Sequence, residues 1–483
     1  MPLTRNMDTV EFRKHAHELV EWMADYLEQI ERRPVRPDMV PRTIFNQVPA
    51  HPPSEPEEFR QIFDDFQNVI LPGMTHWQHP SFFAYFPANT SPPSILAEML
   101  TATMGAQCMS WTTSPAATEL EERVMEWLRE MLGLPADFTG VIQDTASTAT
   151  LCAILTAREH RTGYRINADG FPAGSRFTVY CSTETHSSIE KAVKIAGFGR
   201  TALRTLPVDQ AFAMIPEELD RAIAHDMAEG FTPLCAVAAI GTTGSTAIDP
   251  LRPIGEICRR HGLWLHVDAA YAGTGLLVPE LRWMIDGIEH ADSFVVNPHK
   301  WMFTNFDCSA YFVKDTAALV RTFEILPEYL KTSEKERVNN YRDWGIQQGR
   351  RFRALKLWFV IRSHGVLGLQ EKIRAHCALA GSFVGEVNAS PDFEMLAPAP
   401  LTTACFRYHP PGTDDAELLN TMNAALMEQL NRTGRLFLTH TKLNGMTALR
   451  FVASQTTVAQ RHVDSAWRII SETARGMSVP RSP

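Results

Sequence analysis

Between residues 141 and 296 the chain alternates short, largely apolar runs with longer amphipathic stretches, and this alternation constrains the fold more than any other feature. The runs are Val141-Ile142-Gln143, Phe177 to Cys181, Ala236 to Ile240, Leu263 to Val267 and Phe294 to Val296. A run with no polar face needs burial on both sides, as a central strand of a helix-covered sheet has. The stretches between them read as helices, with Thr150 to Leu155 after the first run and Ile189, Ala192, Val193 and Ile195 after the second. A further helix opens at Ser114-Pro115, carries Leu120, Val124, Trp127, Leu128 and Met131, and stops at Gly133 and Pro135. The pattern predicts an α/β fold built on a mostly parallel sheet.

The flanks read differently. Behind the capping pair Asp8 and Glu11, apolar residues from Phe12 to Ile30 recur at steps of three and four, which predicts an amphipathic helix. A proline-rich passage from Pro34 to Pro56 follows and can only be a connector over a surface. Past residue 360 a long helix, short strands near Thr403 to Arg407 and Leu449 to Val452, and a closing helix through Val463, Ala466, Trp467 and Ile470 predict a small α+β domain. The expected division is a helical segment over 1–88 that must pack on something larger, a large α/β domain over 89–360, and the small domain over 361–483.

Composition narrows the function. A formal charge of -9, with no dense basic stripe, argues against nucleic acid as a partner. No apolar run reaches membrane-spanning length, and the start Met1-Pro2-Leu3-Thr4-Arg5-Asn6 lacks a secretory pattern, so a cytoplasmic protein acting on small molecules is expected. The eight cysteines form no CxxC pair and are expected to be reduced.

In such a sheet, ligands bind beyond the C-terminal ends of the strands. The segments there are Asp144-Thr145-Ala146-Ser147, Thr183-Glu184-Thr185-His186, Gly241-Thr242-Thr243, Asp268, and Asn297-Pro298-His299-Lys300. Singly, each has an ordinary reading: a helix cap, a structural histidine, a salt-bridged aspartate, a surface lysine. Together they make the set that pyridoxal phosphate requires. Backbone N–H groups at a helix start can hold its phosphate, His186 can stack on its ring, Asp268 can pair with its protonated nitrogen, and Lys300 can form an imine with it. The spacing His266-x-Asp268 also fits the first two ligands of an iron site with a distant histidine as third, but the α/β pattern is wrong for such oxygenases. No metal is expected. A dinucleotide enzyme would need a GxGxxG turn, which Gly241 to Gly244 does not supply.

Here the sequence resembles the pyridoxal-phosphate-dependent group II amino-acid decarboxylases, in particular those acting on aromatic L-amino acids. The resemblance spans nearly the whole chain and rests most specifically on His266-Val267-Asp268-Ala269-Ala270-Tyr271-Ala272-Gly273, Asn297 to Trp301, and Asn305-Phe306-Asp307-Cys308-Ser309. It implies the aspartate-aminotransferase-like fold (type I) and a homodimer with the active site at the subunit interface. It also implies Lys300 as the Schiff-base lysine, Asp268 as the pyridinium partner and His186 as the stacking ring, with Ala146, Ser147, Thr243, Asn297 and His299 as further cofactor contacts.

Tyr329 matches a loop tyrosine implicated in protonating the substrate carbon; related aldehyde synthases carry Phe there. Trp77, Tyr85, Phe86, Ala88 and Gly349 match the substrate pocket. Ala88 replaces a threonine of animal dopa decarboxylases, and Gly349 resembles the small residue that plant relatives use for indoles. The resemblance implies decarboxylation of tryptophan, 5-hydroxytryptophan, dopa, tyrosine or phenylalanine, with an aldehyde synthase or another group II decarboxylase as the alternative.

Overall fold

The computed structural model describes residues 7–325 and 337–477. The large sheet contains β1 (Thr139–Gln143), β2 (Phe177–Ser182), β3 (Leu203–Leu206), β4 (Thr232–Ala239), β5 (Trp264–Asp268), β6 (Ser293–Val296) and β7 (Ser309–Val313), in the order β1-β7-β6-β5-β4-β2-β3. Strands β2 to β6 pair in parallel, whereas β7 is antiparallel to both β6 and β1. The two reversals cancel. β1 therefore points the same way as β6, and the C-terminal ends of β1, β2, β4, β5 and β6 all open on one edge.

The apolar runs are strands because both faces of the sheet are covered. Ala310 and Phe312 join Phe294 and Val296 in one core, while Tyr311 and Val313 join Val295 in the other, the period of two that a pleated strand imposes. The helix Ala146–Thr162 packs beneath β4 to β7 on the second side, and Pro115–Leu132 and Leu251–His261 cover the first. Each large apolar side chain so buried contributes about 1.5–3 kcal/mol. Two strands of this sheet escaped the sequence reading. β3 is an edge strand with most of its residues partly exposed, and β7 opens on Ser309-Ala310 with too little bulk to stand out.

The second sheet is antiparallel throughout: β8 (Phe393–Met395), β9 (Thr403–Tyr408), β10 (Thr439–Leu443) and β11 (Met446–Val452), ordered β10-β11-β9-β8. Its core centres on Phe383, Phe406 and Phe451, with Phe383 stacked on Phe451 at 3.9 Å. The long helix Arg353–Ala389 runs through the expected division at 360 and breaks helical geometry only at Gly365 (φ 63°). Its first half, through Ile373, belongs to the large core, and the part from Leu379 onward to the small one.

At the N-terminus the helix Thr9–Glu28 carries the expected capping box of Asp8 and Glu11. None of its residues is buried, and Val10, Phe12 and Val20 stay exposed. The following segment docks on the small domain. Val35 N–H donates to Gly434 O (2.8 Å), Phe83 N–H to Phe437 O (3.0 Å), and Val452 N–H to Phe83 O (3.0 Å). A strap over residues 78–91 then leads back to the end of β6.

Candidate active site

Lys300 follows β6 on the one-turn helix Pro298–Trp301, where Pro298 fills the first position and Lys300 N–H donates to Asn297 O at 2.9 Å. Its side chain borders a cavity of about 240 Å³. Burial pushes the ammonium below the usual lysine range; the Asp268 carboxylate opposes this and the Arg450 guanidinium reinforces it. The neutral, nucleophilic amine is thereby easier to reach than in water.

Around Lys300 the cavity gathers residues from five strand ends. Ala146 and Ser147 line it at the start of a 17-residue helix whose cap, Thr145, accepts from Thr148 N–H at 3.3 Å. The N–H groups of such a first turn are free for an anion. His186 enters from β2. Its Nδ1 accepts from Ser188 N–H (3.1 Å) and lies 2.7 Å from Ser188 Oγ, so the neutral ring carries its proton on Nε2. Burial holds its pKa below the ordinary histidine value; Asp268 opposes and Lys300 assists.

Thr242 and Thr243 follow β4, whose end is fixed by the buried Asp249 accepting from Ala239 and Met214 N–H, both at 2.7 Å. Gly241 must be glycine. Its φ is 82°, and a Cβ there would stand 2.5 Å from Ala272 Cβ.

Asp268 ends β5 only 9% exposed, accepting from Ala270 N–H at 3.1 Å and forming no ion pair among the described residues. A buried carboxylate so placed calls for a cationic partner in the cavity. Asn297 Oδ1 accepts from Ser309 Oγ. His299 Nδ1 accepts from Cys308 N–H at 2.9 Å, and burial, assisted by Lys300, pulls its pKa down to about 3. The roof is aromatic. Phe86 stacks on Tyr271 (3.8 Å, 7°), Tyr271 stacks on Trp301 (5.2 Å, 15°), and Lys300 Nζ lies 5.4 Å from the Phe86 ring centroid.

Every sequence-predicted cofactor contact therefore lines one cavity: Ala146, Ser147, His186, Thr243, Asp268, Asn297, His299 and Lys300. Of the expected substrate pocket only Phe86 does. Trp77 and Tyr85 stack on each other at 5.8 Å on the surface, Ala88 lies in the strap with its carbonyl held by Gln78, and Gly349 abuts Gln107. The aromatic segment divides because an extended strap turns successive side chains to different sides. Phe82 and Phe83 are fully buried, and Tyr85 takes a left-handed φ of 51°. Tyr329 lies outside the described residues.

His266, the rival iron ligand, is fully buried with both ring nitrogens engaged, by Ser293 Oγ (2.9 Å) and Thr150 Oγ1 (3.3 Å). Among the described residues no group of three metal-ligating side chains forms.

Two residues escaped the sequence reading. Arg450 on β11 is 3% exposed, its guanidinium carbon 5.2 Å from the Phe86 centroid and its Nη2 without a partner. The signal was legible, since an arginine stands between Leu449 and Phe451 in an otherwise buried strand. Asn89 hydrogen-bonds the Lys300 carbonyl at 2.6 Å, a contact no local pattern encodes.

Residues 41–409 match the model of the pyridoxal-dependent decarboxylase conserved domain. The chain belongs to this family. Pyridoxal phosphate is the cofactor of this decarboxylase. Tyrosine decarboxylase 4 of Petroselinum crispum is 40% identical over 97% of this chain and 94% of its own length. Phenylacetaldehyde synthase of Arabidopsis thaliana is 42% identical over 97% and 96%. Among solved structures, Oryza sativa TDC with PLP and tryptamine superposes with a TM-score of 0.94 at 35% identity, covering 98% of this chain and 99% of that one. The decarboxylase thus has the type I fold expected from its sequence. Its cavity fits the cofactor on chemical grounds: free helix-start N–H groups for the phosphate, an unpaired buried carboxylate for a pyridinium, and a depressed lysine for the aldehyde.

Proposed function

We propose that this decarboxylase removes CO2 from aromatic L-amino acids, giving the arylethylamine. The observation that carries the substrate class is the stacked pair Phe86 and Tyr271 beside Lys300, a flat apolar wall suited to a ring and poor for a charged side chain. The names of the relatives, which act on or yield aromatic compounds, support the same class.

When bound, the cofactor supplies an electron sink for the pair left as CO2 departs. The chain's own residues do the rest. Lys300, whose amine burial makes easier to deprotonate, would bind the cofactor and later displace the product. Asp268 would hold a proton on the cofactor's ring nitrogen. Ala146 and Ser147 N–H, with Thr243 and Asn297, would fix the phosphate end. His186 would lie over the ring and present Nε2–H to the substrate. Arg450, buried beside Phe86 with its Nη2 unpartnered, would offer its charge to the substrate carboxylate. Tyr329 would deliver the proton to the substrate carbon.

The second reading, an aldehyde synthase, fits the 42% identity to phenylacetaldehyde synthase, but a tryptophan decarboxylase of Camptotheca acuminata is equally 42% identical, and Tyr329 favours the amine.

We further propose a homodimer that completes the site. The exposed Val10, Phe12 and Val20 of the first helix, and Leu96, Leu100 and Met104 of the helix Pro92–Met104, support it, and light scattering reads it directly. The deciding experiment is CO2 release from tryptophan, 5-hydroxytryptophan, dopa, tyrosine, phenylalanine, glutamate and histidine, with product identification. Release from an aromatic substrate and none from glutamate is expected. Release from glutamate alone would refute the aromatic assignment.

A further inference from the structure

Asn89 sits where three parts of the chain meet, and it is 1% exposed. Its Nδ2 donates one proton to Lys300 O (2.6 Å) and the other to Ser454 O (2.7 Å). Its Oδ1 accepts from Thr456 N–H (3.0 Å) and lies 3.1 Å from Thr456 Oγ1, whose one proton is shared with Thr90 O at 2.8 Å. Its own N–H donates to His299 O at 3.1 Å. A carboxamide offers two donors and two lone pairs; both donors and at least one lone pair are spent here between the lysine turn and the small domain.

The residue also anchors the strap. Gln78 clasps it on both sides, donating to Ala88 O (2.8 Å) and accepting from Thr90 N–H (3.1 Å). Three residues upstream the same strap carries Phe86, whose ring centroid lies 5.4 Å from Lys300 Nζ. Helix Pro298–Trp301 is a single turn and cannot hold its own carbonyls within the helix, so the Lys300 carbonyl depends on an outside donor. Asn89 is that donor.

We propose that Asn89 is a positioning residue for the cofactor lysine, fixing the Lys300 turn, the Phe86 strap and the Ser454–Thr456 loop as one unit. The inference rests on Lys300 as the cofactor lysine. Asparagine is the residue type for the task because aspartate, its isostere, would turn an acceptor toward the Lys300 and Ser454 carbonyls. Two hydrogen bonds would be lost and two oxygen contacts become repulsive.

The test compares three holoenzymes: wild type, Asn89→Asp and Asn423→Asp. Asn423 is a matched control, fully buried in the small domain with Nδ2 donating to Tyr408 O and Leu419 O and Oδ1 accepting from Tyr408 N–H. Three properties are read: melting temperature, the pH midpoint of the bound cofactor's visible absorbance, and the rate of cofactor release on dilution.

Both variants should melt lower. Only Asn89→Asp should shift the absorbance midpoint and release cofactor faster, on the order of tenfold for two net hydrogen bonds lost. If Asn89→Asp matches Asn423→Asp in midpoint and release, the residue is merely structural and the proposal falls. If Asn89→Asp does not fold, Thr456→Val decides, since it removes the hydroxyl that joins Asn89 Oδ1 (3.1 Å) and Thr90 O (2.8 Å) at the same junction. A smaller shift in the same direction supports the proposal, and wild-type values refute it. Failure of borohydride to fix cofactor on Lys300 in the wild type would instead overturn the cofactor-lysine reading on which this one stands.

Discussion

Replacing Arg450 by methionine separates what a buried charge does for the fold from what it does for the reaction. Arg450 lies on β11 at 3% exposure and forms no ion pair among the described residues. Its Nε–H donates to Gly244 O (3.0 Å) and its Nη1 to Thr439 Oγ1 (3.2 Å), while Nη2 has no partner. Methionine forfeits two hydrogen bonds worth about 1 kcal/mol each and leaves the Gly244 carbonyl with the weaker Cys405 thiol as donor (3.3 Å). Against this it relieves an uncompensated buried cation, a penalty of several kcal/mol even after relaxation.

The two sides nearly cancel, so the melting temperature should move by only a few degrees in either direction. Function should respond far more. A charge-assisted hydrogen bond to the substrate carboxylate is worth about 1.5–3 kcal/mol, which converts to roughly 10- to 100-fold in kcat/KM. Lys300 also loses the neighbouring positive charge that depresses its pKa, so the pH at which its amine becomes neutral should rise. The assay pairs thermal unfolding with steady-state CO2 release between pH 6 and pH 9. A variant that unfolds at room temperature would refute the near-cancellation, and an unchanged kcat/KM would refute the assignment of Arg450 to the substrate.

Four further outcomes are expected. Lys300→Ala should bind no cofactor that borohydride can fix and should release no CO2; covalent labelling of that variant would move the imine to another residue. Tyr329→Phe should shift product from arylethylamine toward the aldehyde, measured by chromatography of both, and an unchanged amine yield would remove Tyr329 from the protonation step. Phe86→Ala deletes a ring stacked at 3.8 Å on Tyr271; an aromatic contact of about 0.5–1.5 kcal/mol predicts a KM for aromatic substrates raised about 2- to 12-fold, whereas a KM unchanged would place the ring elsewhere.

The last concerns acid. Burial lowers His266 to about 4, His299 to about 3 and His376 to about 3, below the unfolded value of 6.5. As pH falls below 6.5 the unfolded chain takes up protons that the folded chain refuses until pH 3 to 4, so stability present above 6.5 is progressively lost across that window. A melting temperature flat from pH 7 to pH 4.5 would contradict the burial of these rings as neutral species.

The sequence determined the class of fold and most of the cofactor site, because both are written locally. Apolar runs in a doubly covered sheet need no knowledge of partners to be recognised, and the residues directly after them share one edge whichever order the strands take. Lys300, Asp268, His186, Ser147 and Asn297 were legible for that reason. The tertiary structure decided what depends on contacts between distant segments. The reversal at β7 returns β1 to the same direction as β6, and this brings the Ala146 helix start to the lysine.

The strap over 78–91 shows the limit most clearly. Its aromatic residues look equivalent in sequence, yet Phe82 and Phe83 go to the core, Trp77 and Tyr85 to the surface, and only Phe86 to the cavity. An extended, irregular segment has no period of its own, so the surfaces it crosses choose which side chains turn inward. Asn89 was invisible on the same ground, and Arg450 stood out only as a charge in a buried strand: they lie 211 and 150 positions from Lys300, and the path of the strap and the docking of the small domain bring them to it.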